Sequence, residues 1–281
     1  MVSIIIPAYN RENTIRASIE SVLKQTINDI EVLVIDDGST DNTAEVIKSI
    51  SDKRVKYYYQ NNSGACVARN YGIKLAQGEI IAFHDSDDQW LPGKLEEELK
   101  ALDENHADIV FCQMLKNGRK IPDYLEEGFV STLTFLQNGN IIGTPTIIGR
   151  RYCFEQIQFD PLMPRLQDRD IAIQLSKKYK VYFLREALMK VEVQANSITR
   201  NDEKGVIALE RIMNKNKSII EKHPEIECKL LSDLCVFKLR SNKKCDLEFR
   251  RILSLENTFK NNLKYILYKV GLLKRIYCSE R

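Results

Sequence analysis

Three carboxylates lie within four residues of the chain, at Asp85, Asp87 and Asp88. They follow the apolar run Ile80–Phe83, so the negative charge is expected where a buried strand runs out into a loop. Carboxylates this close repel each other unless a cation lies among them, and Mg²⁺ is usually held by one or two carboxylates together with phosphate oxygens. The pattern therefore predicts a cation site beside a phosphate-bearing ligand. The alternative is an acidic turn with no ligand.

Strand and helix patterns alternate along the first hundred residues at a spacing of roughly 25 residues. That alternation predicts an α/β fold with a mostly parallel central sheet flanked by helices on both faces. The predicted strands are Val2–Ile6, Ile30–Ile35, Val55–Tyr59 and Ile80–Phe83, and the predicted helices are Thr14–Gln25, 42–50 and Gly64–Gln77.

Polar clusters follow three of these strands, and in such sheets ligands bind at the carboxyl ends of the strands. Pro7-Ala8-Tyr9-Asn10 follows the first strand and Asp36-Asp37 follows the second, while the Asp85–Asp88 loop follows the fourth. Three clusters on one edge of a sheet favour a ligand site over an isolated acidic turn.

Helix boundaries also have local signals. Asn42 and Glu45 have the spacing of a capping box, and Gly78 stands where a helix over 64–77 should end.

The secondary structure predicted for the second half of the chain is less regular. It comprises helices over Leu95–Leu102, Ser131–Asn138 and Asp168–Tyr179, strands over Ile109–Met114, Pro145–Ile148, Val181–Leu184 and Leu188–Val193, and helical structure from Lys204 onward.

The composition of the 281 residues is that of an ordinary globular protein, with 43% hydrophobic and 29% charged residues. A net charge of +3 is too small to argue for a nucleic-acid partner. Seven cysteines without a Cys-x-x-Cys pair predict buried thiols in a reducing compartment, without disulfides or zinc. No secretory signal and no run of 18 apolar residues is recognisable, so we expect a cytoplasmic protein.

Four motifs follow one another along the chain. They are Ser3-Ile4-Ile5-Ile6-Pro7-Ala8-Tyr9-Asn10, Ile35-Asp36-Asp37-Gly38-Ser39-Thr40-Asp41, Gly64-Ala65-Cys66-Val67-Ala68-Arg69-Asn70-Tyr71-Gly72 and Asp85-Ser86-Asp87-Asp88. In this order they resemble the motifs of the family 2 glycosyltransferases. The resemblance implies a GT-A fold, which is a single nucleotide-sugar-binding α/β domain, here with a helical C-terminal segment. We expect a catalytic domain over residues 1–203, with a donor half at 1–105 and an acceptor half at 106–203, and an extension over 204–281.

The same resemblance implies roles for donor-side residues. Pro7, Tyr9, Asp36 and Asp37 would hold the nucleotide base, and a carboxylate such as Asp37 can accept from the uracil N–H. Asp41 and Asn42 are interpreted as helix caps.

In the acidic loop, Asp85 would face the ribose and Asp87 would bind Mn²⁺ or Mg²⁺, while the role of Asp88 is left open. Arg69 would bind donor phosphates, or else form a surface salt bridge. His84 is expected to be structural. Trp90 either stacks on a sugar or packs half-buried.

A general base is expected at Asp168. An acceptor hydroxyl is a poor nucleophile until a proton is removed, and a carboxylate within hydrogen-bond reach can remove it. The family usually has Glu-Asp where this chain has Gln167-Asp168. The resemblance therefore implies that Asp168 is the base, with one neighbouring negative charge fewer than is usual in the family. Asp170 would orient the loop. The alternative for Asp168 is a role limited to the helix N-terminus.

On the acceptor side, residues 143–146 and 159–161 resemble the stretch that shapes the acceptor pocket, and residues 196–199 lie where the family has a loop that closes over the donor. The tail repeats apolar residues in three- and four-residue steps, and residues 256–281 carry a net +4. This pattern predicts a basic amphipathic helix that lies on an anionic membrane surface or packs back on the domain. The apolar positions are Phe259, Leu263, Ile266, Val270, Leu273 and Tyr277.

We therefore expect a metal-dependent inverting glycosyltransferase that moves a sugar from a nucleotide-diphosphate donor, a uridine one, to a glycan or lipid-linked saccharide. It would act in surface polysaccharide synthesis, in the cytoplasm or on the inner face of the cell membrane. One alternative is a sugar-nucleotide-binding protein without turnover. A nicotinamide-dependent oxidoreductase is disfavoured, because no Gly-x-Gly-x-x-Gly follows the first strand.

Overall fold

The computed structural model describes residues 1–139, 141–191 and 201–279. These residues divide into two compact units. The first comprises residues 1–135, 141–161 and 167–191, and the second comprises 136–139, 162–166 and 201–279. The predicted domain boundary at residue 203 stays a prediction.

The described strands of the first unit form one sheet in the order β3-β2-β1-β4-β9-β6-β10-β5, with β7 paired to β6 and β8 to β10. The helices that accompany it are α1 to α7. The strands are β1 Val2–Ala8, β2 Ile30–Asp37, β3 Val55–Gln60, β4 Ile80–Phe83, β5 Gln89–Trp90, β6 Ile109–Lys116, β7 Arg119–Ile121, β8 Gly128–Phe129, β9 Ile147–Arg150 and β10 Val181–Val191; the helices are α1 Ile15–Leu23, α2 Thr43–Lys48, α3 Ala65–Leu75, α4 Lys94–Glu104, α5 Thr132–Gln137, α6 Arg151–Gln156 and α7 Gln167–Ser176.

Strand β1 is the centre of the parallel part of the sheet. It pairs in parallel with β2 on one side and β4 on the other, and β2 pairs in parallel with β3. All residues of β1, β2 and β4 are buried, as expected for strands covered on both faces. Strands β6 and β10 are also parallel, but β9 runs antiparallel between β4 and β6. The predicted α/β architecture with a mostly parallel sheet is confirmed.

Gly78 does not end a helix, contrary to the prediction. Helix α3 stops at Leu75, and the following Ala76 is extended. A Cβ at position 78 would lie 2.7 Å from the Met1 carbonyl oxygen and 2.9 Å from the Ser3 amide nitrogen. Glycine is needed here because the backbone passes directly against the first strand, where its N–H donates to Ser3 Oγ at 2.8 Å.

The predicted capping box at Asn42 is also wrong. The Asn42 side chain makes no cap hydrogen bond and instead donates to Glu12 Oε2 at 2.8 Å. Asp41 does the capping, because its Oδ1 accepts from the Thr43 backbone N–H at 3.0 Å. A tertiary partner, Glu12, has displaced the local motif.

Three predicted strands of the second half have different limits. Residues 144–146 form a 3₁₀ turn, and the strand expected over Pro145–Ile148 begins at Ile147. The strands expected over Val181–Leu184 and Leu188–Val193 are one strand, β10, whose register with β6 shifts between Leu184 and Met189. The loop expected over residues 196–199 lies outside the described residues.

The second unit is helical, as the sequence from Lys204 predicts. Its buried cluster includes cysteine, leucine and aromatic side chains, among them Cys228, Leu231, Cys235 and Phe249. In the part of the chain that the structure describes, no helix has the length and apolarity to cross a bilayer. The helices are α8 Asp202–Lys215, α9 Lys217–Ile220, α10 Pro224–Arg240, α11 Asp246–Leu255, α12 Phe259–Lys269 and α13 Leu272–Ser279.

The predicted tail helix is two helices rather than one. Helix α12 ends at Lys269 and α13 begins at Leu272. Between them Gly271 has φ +75°, a left-handed conformation that glycine adopts without a steric penalty. The three- and four-residue spacing of apolar residues continues across this break, which is why the pattern alone predicted a single helix.

Candidate active site

The carboxyl ends of three parallel strands meet at one edge of the sheet. Ala8 at the end of β1 lies in register with Asp36 of β2. On the other side, the His84 amide extends the ladder by donating to the Ile5 carbonyl at 3.0 Å. The polar clusters that follow β1, β2 and β4 therefore start side by side, as the sequence pattern predicts.

Hydrogen bonds join the loop after β1 to the loop after β2. Asn10, with φ +52°, accepts from the Thr40 amide through Oδ1 at 2.8 Å and donates its own amide to Ser39 Oγ at 3.0 Å. The Arg11 amide donates to Thr43 Oγ1 at 2.7 Å. Sequence reasoning assigned no such role to Asn10 or Thr43. The signal was the occurrence of short polar residues at both strand ends, which can hydrogen-bond to backbone groups locally.

Asp36 is buried and holds its own loop. Its Oδ1 accepts from the Ser39 amide at 2.9 Å, and its Oδ2 accepts from the Tyr57 hydroxyl at 2.8 Å. Burial raises the pKa of Tyr57, and the neighbouring Asp36 carboxylate raises it further, so Tyr57 remains a hydrogen-bond donor.

Asp37 ties β2 to the segment that leads into α3. Its carboxylate accepts from the side chain of Gln60 at 2.7 Å and from the amides of Ser63 and Gly64, each at 2.8 Å. A carboxylate offers about four lone-pair sites, so these three bonds leave capacity for one further donor such as a base N–H. Tyr9, by contrast, is 45% exposed at the end of β1, and Pro7 lies buried within the strand.

The Asp85–Asp88 loop is a tight turn in which the carboxylates have different surroundings. The Asp88 amide donates to the Asp85 carbonyl at 3.2 Å, and the same carbonyl accepts from Ser18 Oγ at 3.0 Å. Asp88 is 4% exposed, whereas the side chains of Asp85 and Asp87 are 31% and 20% exposed. Asp88 is thus the member of the group that is least accessible to a ligand.

Arg11 was not among the predicted site residues. Its Nη2 lies 3.6 Å from Asp87 Oδ2, while its Nη1 donates to the Tyr9 and Asn10 carbonyls, each at 3.2 Å. A cation is therefore present beside the proposed metal ligand. The sequence signal was an arginine immediately after the first polar cluster, at the edge where the acidic loop was predicted to lie.

Arg69 joins the acidic loop to helix α7. Its Nη2 donates to Asp85 Oδ1 at 2.8 Å and its Nη1 donates to Gln167 Oε1 at 3.0 Å. Its guanidinium also lies over the Phe159 ring, 5.4 Å from the centroid. The salt-bridge alternative is therefore present, but the pair is not a surface one, because the Arg69 side chain is only 7% exposed. The planar guanidinium of Arg69 thus positions Asp85 and Gln167, which are far apart in the chain.

Asp168 follows Gln167 in the first turn of α7 and is half-buried. Its Oδ1 accepts from the Arg169 amide at 2.8 Å, so the alternative contact at the helix N-terminus is present, while the base role stays a prediction. The preceding Leu166 has φ +58°, an uncommon conformation for a residue with a branched side chain. Asp170 is buried, consistent with a supporting role.

The carboxylate oxygens at this edge of the sheet suit a hard divalent cation whose coordination shell a diphosphate would complete. Asp87 offers carboxylate oxygens beside a loop with a second accessible carboxylate, Asp85, and Mg²⁺-type sites need only one or two such groups from the protein. No group of three His, Cys, Asp or Glu side chains within the described ranges is arranged to hold a metal ion. Because the protein supplies only one or two carboxylates, we expect the cation to bind weakly by itself and more tightly together with donor phosphates.

Two aromatic residues and one histidine of this region are structural. Trp90 is 4% exposed, its ring centroid lies 5.1 Å from that of His84, and the Lys94 ammonium lies 5.0 Å from the Trp90 centroid. Stacking of Trp90 on a sugar is therefore wrong. Phe159 is 2% exposed and 5.1 Å from the Phe83 ring, so any acceptor contact at 159–161 comes from its neighbours or backbone. His84 is fully buried, which agrees with its predicted structural role.

The family profile described as Glycosyl transferase family 2 matches residues 3–174, which contain every site residue described above. The chain belongs to this family. The match covers the predicted donor half from residue 3 onward and extends through Asp168 into α7.

Relatives and solved structures agree with this family assignment. An uncharacterized glycosyltransferase of Rickettsia conorii is 32% identical over 291 residues, covering 99% of this chain but 46% of that protein, so the chain spans less than half of that relative. WfaP of Escherichia coli, named a UDP-Glc:alpha-D-GlcNAc-diphosphoundecaprenol beta-1,3-glucosyltransferase, is 33% identical over 243 residues, covering 81% of this chain and 90% of that protein.

The fold has a solved counterpart in S. aureus TarS residues 1–349, crystallised in complex with UDP-GlcNAc. The TM-score is 0.67 at 20% identity, with 96% of this chain and 92% of that chain covered. The likeness confirms the predicted GT-A fold.

Proposed function

We propose that this family 2 protein is a metal-dependent inverting glycosyltransferase that moves a sugar from a uridine-diphosphate donor to a hydroxyl of a lipid-linked saccharide. The observation that carries the proposal is the pair of hydrogen bonds donated by the Arg69 guanidinium. It joins Asp85, in the loop predicted to face the donor, to Gln167, the neighbour of Asp168. A donor loop and a candidate base are thereby positioned by one buried side chain.

On the donor side, the loops after β1 and β2 form the proposed base and ribose site. Tyr9 supplies an exposed aromatic side chain, and Pro7 fixes the backbone at the end of β1. Asp36 and Asp37 hold the loops around them, and the remaining acceptor capacity of Asp37 suits a uracil N–H. Asp85 is oriented by Arg69 toward the ribose.

Asp87 is the proposed protein ligand of Mn²⁺ or Mg²⁺. When bound, the cation offsets negative charge on the diphosphate leaving group. Arg11 and Arg69 supply further positive charge at the same edge. Because Arg69 is already held by Asp85 and Gln167, it acts mainly by positioning these residues rather than as a mobile phosphate ligand.

Asp168 is the proposed general base. It removes the proton from the acceptor hydroxyl as that oxygen attacks the anomeric carbon from the face opposite the leaving diphosphate. A single displacement of this kind inverts the anomeric configuration. Gln167 keeps the hydrogen bond to Arg69 that a glutamate would make, without adding a second negative charge beside Asp168.

The donor and acceptor classes rest on the relatives. WfaP is named for a UDP-glucose donor and a diphosphoundecaprenol-linked acceptor, and the TarS structure contains UDP-GlcNAc. We extend these classes to this protein, with residues 1–203 as its catalytic domain. A lipid-linked acceptor places the reaction at the inner face of the cell membrane, in surface polysaccharide synthesis.

A panel of nucleotide sugars tests the proposal. Purified protein is incubated with each sugar, with Mn²⁺ or with EDTA, together with a short-chain lipid diphosphate saccharide, and released nucleoside diphosphate is measured. We expect release with one UDP-sugar that depends on metal and acceptor, and a product of inverted configuration. Tight nucleotide binding without release would favour the binding protein without turnover, and a retained configuration would exclude the single displacement.

A further inference from the structure

One side of helix α12 is a stripe of apolar side chains that are exposed to solvent. Its side chains are 42% to 85% exposed, and at about 100° per residue all of them lie within about 60° of the helix circumference. Large apolar side chains concentrated in this way are unusual on a protein surface and mark a site of interaction. The stripe consists of Phe259, Leu263, Ile266 and Val270.

The opposite side of α12 already has its packing partners. Asn261 is buried and donates to the Glu256 carbonyl at 3.0 Å. Tyr265 and Tyr268 lie against Phe249 of α11, with ring centroids 5.8 and 5.0 Å away. The helix is therefore fixed on its own unit by one face, and the stripe is not the face that holds it there.

Helix α13 repeats this arrangement. Leu273 faces inward and is 3% exposed, whereas Leu272 and Ile276 are 44% and 43% exposed. Leu272 and Ile276 are four residues apart and so lie on the same side of the helix. Both short helices thus bury one set of apolar side chains and expose another.

Basic residues border the exposed stripe. Lys260 and Lys269 lie about 80° to 100° from its centre on either side, and Lys274 and Arg275 are exposed on α13. Burial lowers the pKa of Lys264, and the positive charges of Lys260 and Lys229 lower it further. Asp246 pairs with Lys269, while the tail as a whole keeps a net +4.

We propose that the stripe on α12, extended by Leu272 and Ile276, docks on an anionic lipid bilayer, with the flanking cations at the level of the headgroups. Apolar side chains bordered by Lys260 on one side and Lys269 on the other are the arrangement of a helix that lies in the membrane interface. A second copy of the chain fits less well, because a two-fold contact through the stripe would bring the bordering lysines of both copies together. The inference deepens the proposed function, since a lipid-linked acceptor lies at such a surface.

Vesicle flotation of the full chain tests the inference. We expect the protein to float with phosphatidylglycerol–phosphatidylcholine vesicles and far less with phosphatidylcholine alone. The double variant Leu263→Ser, Ile266→Ser should reduce the bound fraction roughly tenfold, because it removes apolar area from the stripe. Leu247→Ser is the matched control, since Leu247 on α11 is 76% exposed and outside the stripe. Circular dichroism verifies that each variant is folded.

The charge requirement is tested separately. Lys260→Gln with Lys274→Gln should lower binding to the anionic vesicles by roughly tenfold and leave the weak binding to phosphatidylcholine unchanged. The inference is overturned if the wild-type protein does not float with anionic vesicles, or if the serine variant floats as well as the wild type. It is also overturned if light scattering shows a dimer that the serine variant dissociates, since a second copy would then cover the stripe. Nucleotide release with a lipid-free acceptor, measured on the same samples, shows independently whether the proposed function holds.

Discussion

The guanidinium of Arg11 lies 3.6 Å from the carboxylate of Asp87. The proposed metal ligand therefore has a positive partner before any cation binds. A divalent ion that takes Asp87 as a ligand must compete with this arginine. Donor phosphates are the natural new partner for Arg11, because arginine binds phosphate oxygens well.

Replacing Arg11 should strengthen metal binding in the absence of nucleotide. Arg11→Gln removes a competing cation, and for a pair that is partly exposed to solvent the effect is about 0.2–1 kcal/mol, a decrease of roughly 1.5- to fivefold in the Kd for Mn²⁺. Titration calorimetry with Mn²⁺ alone measures it. Arg16→Gln is the control, since Arg16 forms its ion pair with Glu20. An unchanged or weaker affinity for Mn²⁺ in the Arg11 variant would contradict the competition.

Asp168→Asn should abolish most turnover while leaving donor binding intact. The amide keeps the shape of the side chain but cannot accept a proton from the acceptor, which should cost ~10²–10⁴-fold in kcat. Initial rates of UDP release, together with calorimetric titration of UDP, separate the two effects. Asp103→Asn, at a carboxylate that is 72% exposed and paired with Arg150, should leave both unchanged. Turnover near the wild-type rate in the Asp168 variant would show that Asp168 is not the general base.

Gln167→Glu should move the acid limb of the pH–rate profile to higher pH. The added negative charge lies next to Asp168 and disfavours its ionised form, so the pKa of the base rises and activity is lost earlier on acidification, by about 1 pH unit. The hydrogen bond to Arg69 can be kept, since a carboxylate oxygen also accepts from Nη1. The profile of kcat/KM against pH measures the shift. A profile that does not move would mean that Asp168 is not the group that titrates.

His84 should make stability depend on pH below neutrality. Burial, together with the nearby Lys94 ammonium, lowers the pKa of His84 from 6.5 to about 3. Below pH 6.5 the unfolded chain binds a proton at His84, whereas the folded protein keeps this histidine neutral. The free energy of unfolding therefore falls as pH drops from 6.5 toward 3. The loss in the free energy of unfolding is at most about 5 kcal/mol.

Urea denaturation between pH 7 and pH 4 measures this dependence. His84→Gln should flatten it, because the substituted side chain does not titrate. His106→Gln should not, since His106 is exposed. A wild-type midpoint that stays constant over this range would show that His84 takes up a proton in the folded state.

The amino-acid sequence by itself determined the α/β alternation, the strand ends that carry the polar clusters and the family motifs. These features depend on periodicity and on residues close together in the chain, such as Asp85 and Asp87 after Ile80–Phe83. The buried thiols are likewise present at Cys66, Cys112, Cys153, Cys228, Cys235 and Cys245, while Cys278 is exposed.

Only the tertiary structure decided which partners these residues have. Arg11 meets Asp87 across 76 positions of the chain, and Arg69 meets Gln167 across 98. Glu12 draws Asn42 away from its capping position, and Gly78 is required by a backbone that passes against the first strand. The physical reason is that local patterns specify which face or end a side chain occupies, whereas its hydrogen-bond and ion-pair partners depend on which strand ends are brought together.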